Sequence, residues 1–263
     1  MKRKKLKMIM LTISALVLIS AVIAAVKLYP DNNVPQTSSA SEQTSSFEEQ
    51  QYSVPSQNIM PETKSSYVIE NVEHICQLNK WPNGCESVSA VMALNFVGID
   101  VSVDYFIDNY LEMSEVPFDP YKTYGGNPRD GSGFGCYAPV IKSALDKALA
   151  GSDYAADIVS SATVESLCEK YIQNDIPVIF WATQDMQKPF EGKSWEYEGE
   201  SITWIRPEHC LLLIGYTEDS YVFCDPLKTE SSTSYPKVSV ETAYEGLHSQ
   251  AVVIMPKTDY SKS

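Results

Sequence analysis

Apolar positions fall along the chain in three regimes. From Met8 to Val26 every residue is uncharged and most are apolar, with five Lys/Arg among the first seven residues. From 31 to about 64, in "DNNVPQTSSASEQTSSFEEQQYSVPSQNIMPETK", apolar residues are sparse among Ser, Thr, Gln, Pro and Glu. From about Tyr67 onward apolar and aromatic residues recur with a period, first helical and then strand-like.

The periodic part predicts four helices. After Gly84, Val88, Val91, Met92 and Phe96 share a helical spacing, and Gly98 stands where a helix stops. Ser102 caps a short helix carrying Phe106, Ile107, Tyr110 and Leu111. A third helix runs from Cys136, with Pro139 tolerable in its first turn, through Val140, Ile141, Ala144, Leu145, Ala148 and Leu149. A fourth follows a Thr163 cap through Leu167, Cys168, Tyr171 and Ile172. The character then changes: "IPVIFWA" (176–182), "HCLLLIGY" (209–216), "SYVFCDP" (220–226) and "QAVVIMP" (250–256) read as short strands. Helices first and strands later predict an α+β domain.

The apolar run 8–26 approaches the ~20 residues that cross hydrocarbon as a helix, longer than the core of a cleaved signal. The expected organisation is a cytoplasmic basic segment (1–7), a transmembrane signal anchor (8–26), a disordered tether (27–64), one domain (65–257) and a tail (258–263). The domain then faces outward from a cell membrane crossed once. Cleavage near "SAVIAA", about residue 25, is the alternative and would give a secreted protein.

Charge narrows the partners. The formal net charge is −14, more negative still once the basic start is set aside. A nucleic-acid surface is not indicated, and the expected contact of the N-terminal helix is a membrane.

Candidate chemistry centres on Cys85, in "NKWPNGCESVSAVMALNFVG", because a cysteine at a helix N-terminus is favoured as thiolate, more so with an imidazolium nearby. Of His74, His209 and His248, only His209 heads an apolar strand, and Asp225 ends the next one in "FCDP". Their cooperation depends on the hairpin register. If paired positions sum to 437, Asp225 faces Leu212 and lies on the face opposite His209. If they sum to 436, it faces Leu211 and is a diagonal neighbour of His209. Gln77 and the Cys85 backbone N–H are candidate oxyanion donors.

Gln77, then Gly-Cys-Glu opening a helix, then His heading one strand and Asp-Pro closing the next, resembles the papain-like cysteine peptidases of the bacteriocin-leader-processing type. The stand-alone exported relatives are the nearer likeness. It extends over "GGNPRDGSGFGCYAPVI", "IPVIFWAT", "HCLLLIGY", "YVFCDPL" and "HSQAVVIMP". The resemblance implies a papain-like cysteine peptidase fold, N-terminal helices packed on an antiparallel sheet, with the register that lets Asp225 reach His209. It also implies Cys85 as nucleophile, His209 as general base and acid, Asp225 as its orienting acceptor and Gln77 as oxyanion donor, acting on a peptide or protein substrate. The same thiol would serve a cell-wall amidase or transferase, and a catalytically silent domain binding peptides or wall polymers is the reading from another class.

Other residues take plainer readings. Cys76, Cys136, Cys168, Cys210 and Cys224 are structural, a disulfide among them being open and Cys210 with Cys224 a pair that could oppose across the hairpin. His74 and His248 are surface or loop residues. Glu86 is explained by the helix macrodipole. The glycine-rich stretch 123–135 lacks a phosphate-loop Gly-Lys-Ser/Thr and reads as a mobile loop bordering a cleft. Trp181, Trp195 and Trp204 either line a peptide groove or pack beside the sheet. No cofactor is implied, and His209 with the scattered cysteines forms no metal-ligand set.

Overall fold

A computed structural model describes residues 65–258. The expected anchor and tether, residues 8–64, and most of the tail lie outside the described residues. In chain order the elements are β1 (Tyr67–Val68), α1 (Cys85–Phe96), α2 (Val103–Asn109), β2 (Met113–Ser114), β3 (Tyr124–Gly125), α3 (Ala138–Ala148), β4 (Tyr154–Ser160), α4 (Val164–Lys170), β5 (Val178–Thr183), β6 (Phe190–Tyr197), β7 (Glu200–Arg206), β8 (Glu208–Tyr216), β9 (Ser220–Cys224), β10 (Thr233–Pro236), α5 (Lys237–Gly246) and β11 (Gln250–Pro256).

The antiparallel sheet runs β10-β9-β8-β5-β11-β4, with β1 added beside β8. Side chains alternate along its strands, so each face has its own core. Ile179, Trp181, Cys210, Leu212, Val252 and Ile254 face α1, α2 and α3. Val178, Phe180, Leu211, Leu213, Ala251 and Val253 face α4 and α5. The sheet is therefore covered on both sides, which explains why β5, β8 and β11 are nearly continuous apolar runs rather than alternating ones.

The α+β expectation holds, with additions. The four expected helices form, and Ser102 and Thr163 cap theirs by accepting the N–H of Tyr105 and Ser166. Helix α5 was not anticipated, although Val240, Ala243 and Tyr244 supply the helical apolar spacing that seats it on the sheet. Nor was the β6–β7 hairpin, a polar pair outside the main sheet. Its turn places Glu198 and Gly199 both at positive φ, the geometry that suits a two-residue hairpin connection.

The register of β8 against β9 combines both alternatives. Beside the turn, Tyr216 pairs with Tyr221 and Gly215 with Val222, the 437 register. Past a bulge at Ile214, Leu213 pairs with Phe223 and Leu212 with Cys224, the 436 register. One extra residue in β8 thus resets the phase before the strands reach Asp225.

Candidate active site

The chain reaches Cys85 through a tight approach. The Gln77 carbonyl accepts the N–H groups of Lys80 and Trp81, the Trp81 carbonyl accepts Gly84 N–H at 2.9 Å, and α1 begins at the next residue. Only glycine fits at 84, since a Cβ there would stand 2.8 Å from Trp81 Cβ. Helix α1 is buried on all sides through Leu94 and lies against β8 and β5. Cys85 is therefore fixed at the end of a rigid element.

His209 and Asp225 meet at the ends of β8 and β9, both 1% exposed, with His209 Nε2 2.7 Å from Asp225 Oδ1. The 436 register makes them diagonal neighbours, as the resemblance implies. Asp225 is held at both oxygens: Leu227 N–H donates to Oδ1 at 2.9 Å and the Tyr235 hydroxyl to Oδ2 at 2.6 Å. Burial alone would raise the Asp225 carboxyl. The hydrogen bond and charge of His209, with the Tyr235 and Leu227 donors, prevail and bring it down to about 2. With Nε2 engaged, Nδ1 is the His209 nitrogen left to face a substrate or a thiol.

Cys85, His209 and Gln77 line one cleft of about 320 Å³, which Trp204, Lys193, Arg206 and Glu208 also line. Gln77 is buried, its Nε2 donating to the Pro82 carbonyl at 3.0 Å and its Oε1 without a partner among the described residues. The four expected residues thus converge, three on the cleft and Asp225 behind His209.

Two acids alter the expected electrostatics. Glu86 is not a solvent-facing partner of the macrodipole: it is fully buried, because α1 has no solvent face in its first turns. Its Oε1 accepts Cys136 N–H at 2.7 Å and its Oε2 the Cys85 thiol at 3.2 Å. Glu208 shares the strand parity of Cys210 and Leu212, so it points toward α1, and is 9% exposed. Gly135, at φ +126°, closes over the pair, since a Cβ there would meet Glu86 Oε1 at 2.6 Å. Burial, then the charges of Glu86 and Glu208, push the Cys85 thiol well up. The expected stabilisation of a thiolate by the helix N-terminus is therefore outweighed in this arrangement.

Glu208 is itself raised well above the usual carboxylate range by burial and then by Glu86. Burial also raises Glu86, against hydrogen bonds from its own N–H, Cys136 N–H and the thiol, and the charge of His209. Both carboxyls are thus raised, Glu208 without the hydrogen bonds that hold Glu86 back. Ligand atoms of Cys85, Glu86 and Glu208 lie within 4.8 Å of one another, a potential cation cluster that sequence reading did not include.

Other expectations divide. All six cysteines are free thiols. Cys210 and Cys224 do not oppose, since Cys210 pairs with Trp181 and Cys224 with Leu212. His74 is not idle: its Nε2 lies 2.9 Å from the Asp225 carbonyl oxygen. The glycine-rich stretch borders the cleft through Gly131, Ser132, Gly133 and Phe134. It is tied down by Asp130 to Ser132, by Asn83 to the Asp130 carbonyl, and by Arg129 to Asp104 and Asp108. Of the tryptophans, Trp181 is core, donating to the Cys136 carbonyl. Trp204 walls the cleft, stacked on Tyr137 with centroids 5.2 Å apart, and Trp195 stacks on Phe118 at 5.0 Å. Tyr235 was missed altogether, since a tyrosine in a four-residue edge strand carries no sequence mark of its partner.

Among the described residues no helix is long and apolar enough to cross a membrane. A family model described as Peptidase_C39 like family matches residues 69–252. The chain is similar to uncharacterized protein YvpB of Bacillus subtilis (strain 168), 28% identical over 183 residues that cover 65% of this chain and 69% of the relative. It also resembles the crystal structure of a C39-like peptidase from Bacillus anthracis, with a TM-score of 0.66, 24% identity, and coverage of 74% of this chain and 99% of that one.

Proposed function

The chain belongs to the Peptidase_C39 like family, and from that premise we propose that it is a cysteine peptidase in which Cys85 attacks the carbonyl carbon of a peptide bond. His209 Nδ1 takes the thiol proton as the C–S bond forms, and returns it to the leaving amine as the C–N bond breaks. Water then attacks the thioester with His209 again as base, and regenerates the thiol. Asp225 holds the imidazole by Nε2, and Tyr235 and Leu227 hold Asp225. The Cys85 N–H and the Gln77 side chain receive the oxyanion.

The observation that carries this reading is the shared cleft. A thiol at the start of a buried helix and an imidazole oriented by a buried carboxylate at 2.7 Å line the same 320 Å³ space. On the sequence evidence of the basic start and the apolar run 8–26, the reading extends to a domain tethered outside a cell membrane.

A second reading is a domain that binds peptides in this cleft without cutting them. It is favoured by the Cys85 thiol being bonded to Glu86 and pushed up by burial and two acids. The full-length chain incubated with a mixed peptide pool, with new termini identified by mass spectrometry, separates the two. The peptidase reading expects cleavage that falls at least about a thousandfold in Cys85→Ala. No cleavage by the wild type, together with peptide binding that survives Cys85→Ala, would replace it with the binding reading.

A further inference from the structure

Two exposed cations, Lys193 and Arg206, line the cleft that holds Cys85 and His209, yet the triad chemistry uses neither. Neither forms an ion pair among the described residues. By contrast Lys122, Arg129, Lys142, Lys147 and Lys228 each hold a carboxylate, as expected of a chain with 34 Asp and Glu against 20 Lys and Arg. The only acid among the residues lining the cleft is Glu208, which is 9% exposed and turned toward α1 rather than toward these cations.

The β6–β7 hairpin brings the two cations together. Glu191 pairs with Ile205 and Ser194 with Thr203, so Gly192 and Lys193 together stand opposite Trp204. Side chains alternate along a strand, and the extra residue shifts Lys193 onto the face that carries Trp195, Trp204 and Arg206. In an unbulged ladder it would oppose Thr203 and point away. That face is seated on aromatic rings: Trp195 stacks on Phe118, and both tryptophans meet Phe134 edge to face. Lys193 Nζ lies 5.8 Å from the centre of the Phe134 ring. Gly192 makes room for the Arg206 stem, since a Cβ at 192 would stand 2.8 Å from Arg206 Cγ. A bulge, a glycine and an aromatic seat thus bring two like charges to one rim of the cleft, where no acid answers them.

Such a rim suits a carboxylate. The planar guanidinium of an arginine can donate to both of its oxygens, and a lysine adds a point charge. Arg206 stands three residues before His209, so their Cα atoms are at most about 11 Å apart. An extended peptide advances about 3.3 Å per residue, which bounds how far from the scissile bond the carboxylate can sit.

We propose that Lys193 and Arg206 form a carboxylate-binding subsite at the rim of the cleft, which selects peptides with an acidic side chain or a free C-terminus within about three residues of the scissile bond. The inference rests on the peptidase reading, because it names that enzyme's substrate class. Side chain and C-terminus offer the same chemistry, and the test tells them apart.

The test uses the full-length chain as Cys85→Ala, in which turnover cannot intervene, and measures binding of two peptide pairs by calorimetry. One pair is an acetylated hexa-alanine amide with glutamate or glutamine in its middle. The other is acetylated hexa-alanine with a free or an amidated C-terminus. Preference of about fivefold or more for glutamate, or for the free C-terminus, supports the subsite and identifies its source. It should vanish when Lys193→Gln and Arg206→Gln are added together. Adding Lys193→Glu and Arg206→Glu should instead favour a lysine in the middle of the peptide, an inversion that a merely structural role would not produce. Both side chains are exposed, so the fold does not depend on them. Equal binding within both pairs, or none, overturns the subsite, as does a preference that the two glutamines leave intact. Hydrolysis of a mixed peptide pool by wild-type protein separates this inference from the reading beneath it. Cleavage with neither acidic residues nor C-termini enriched near the bond sinks the subsite and leaves the peptidase; carboxylate-selective binding without cleavage by the wild type does the reverse.

Discussion

Tyr235→Phe isolates the support of the His209–Asp225 pair. The hydroxyl donates to Asp225 Oδ2 at 2.6 Å, and Asp225 is 1% exposed, so its loss leaves a buried carboxylate oxygen without that donor. Hydrogen bonds to charged groups contribute about 1.5–3 kcal/mol. For a domain of this size each kcal/mol moves Tm by about 2–4 °C, so the variant should melt about 3–12 °C lower at pH 7. The pH dependence is the sharper part. The Asp225 carboxyl lies below its ordinary value of 3.8, at about 2, so its stabilisation is full above pH 3.8 and is lost as pH falls through about 2. At 1.36 kcal/mol per pK unit that stabilisation is about 2 kcal/mol. Tyr235→Phe moves the carboxyl upward and removes part of it, so the gap between variant and wild type should narrow between pH 7 and pH 2.5. Scanning calorimetry at both pH values decides the matter. A gap that is equal at the two, or absent at both, would refute the assignment of the hydroxyl to a charged Asp225.

Glu208→Gln should stabilise the fold at pH 8, with Tm raised by about 2 °C or more. The raised carboxyl favours folding fully only below its unfolded value near 4.5, and that contribution is lost as pH rises through the folded value; the gain should therefore shrink toward pH 4, and thermal melts showing the opposite trend would count against a desolvated acid. Gly133→Ala places a Cβ 2.7 Å from the Asn127 carbonyl oxygen and from Asn83 Cβ. It should displace the loop over the cleft and raise KM several-fold with a smaller change in kcat, whereas unchanged peptide kinetics would show that this loop wall does not touch substrate. Arg129→Ala, which releases the loop from Asp104 and Asp108, should raise KM in the same sense while moving Tm by less than about 3 °C, because ion pairs this exposed contribute little.

Much of this arrangement is written locally in the sequence. Helices α1 to α4 announce themselves by apolar spacing, α2 and α4 also by their cap residues, and β5, β8, β9 and β11 by short apolar runs. The convergence of Cys85, His209, Asp225 and Gln77 was legible through their order along the chain and its resemblance to a known family. What stayed hidden depends on tertiary context. Strand β4 is an edge strand of mostly half-buried residues, and β6 and β7 are polar because they pair only with each other. The bulge at Ile214 changes the hairpin phase with no residue type that marks it. Glu86 was misjudged and Glu208 passed over, although each adjoins a key residue. Two signals pointed to them: α1 carries only small and apolar residues from Ser87 to Leu94, with no charged face to set in solvent, and Glu208 falls in phase with Cys210 and Leu212.

The central claim, that Cys85 is the nucleophile, is tested most directly by rapid acid quench of the full-length chain mixed with a peptide it cleaves, followed by peptide mapping for a thioester. The account expects the acyl group of the substrate on Cys85 and on no other of the six cysteines, with none in Cys85→Ala. Cleavage with no acyl group on Cys85, or with the group on another residue, would contradict it.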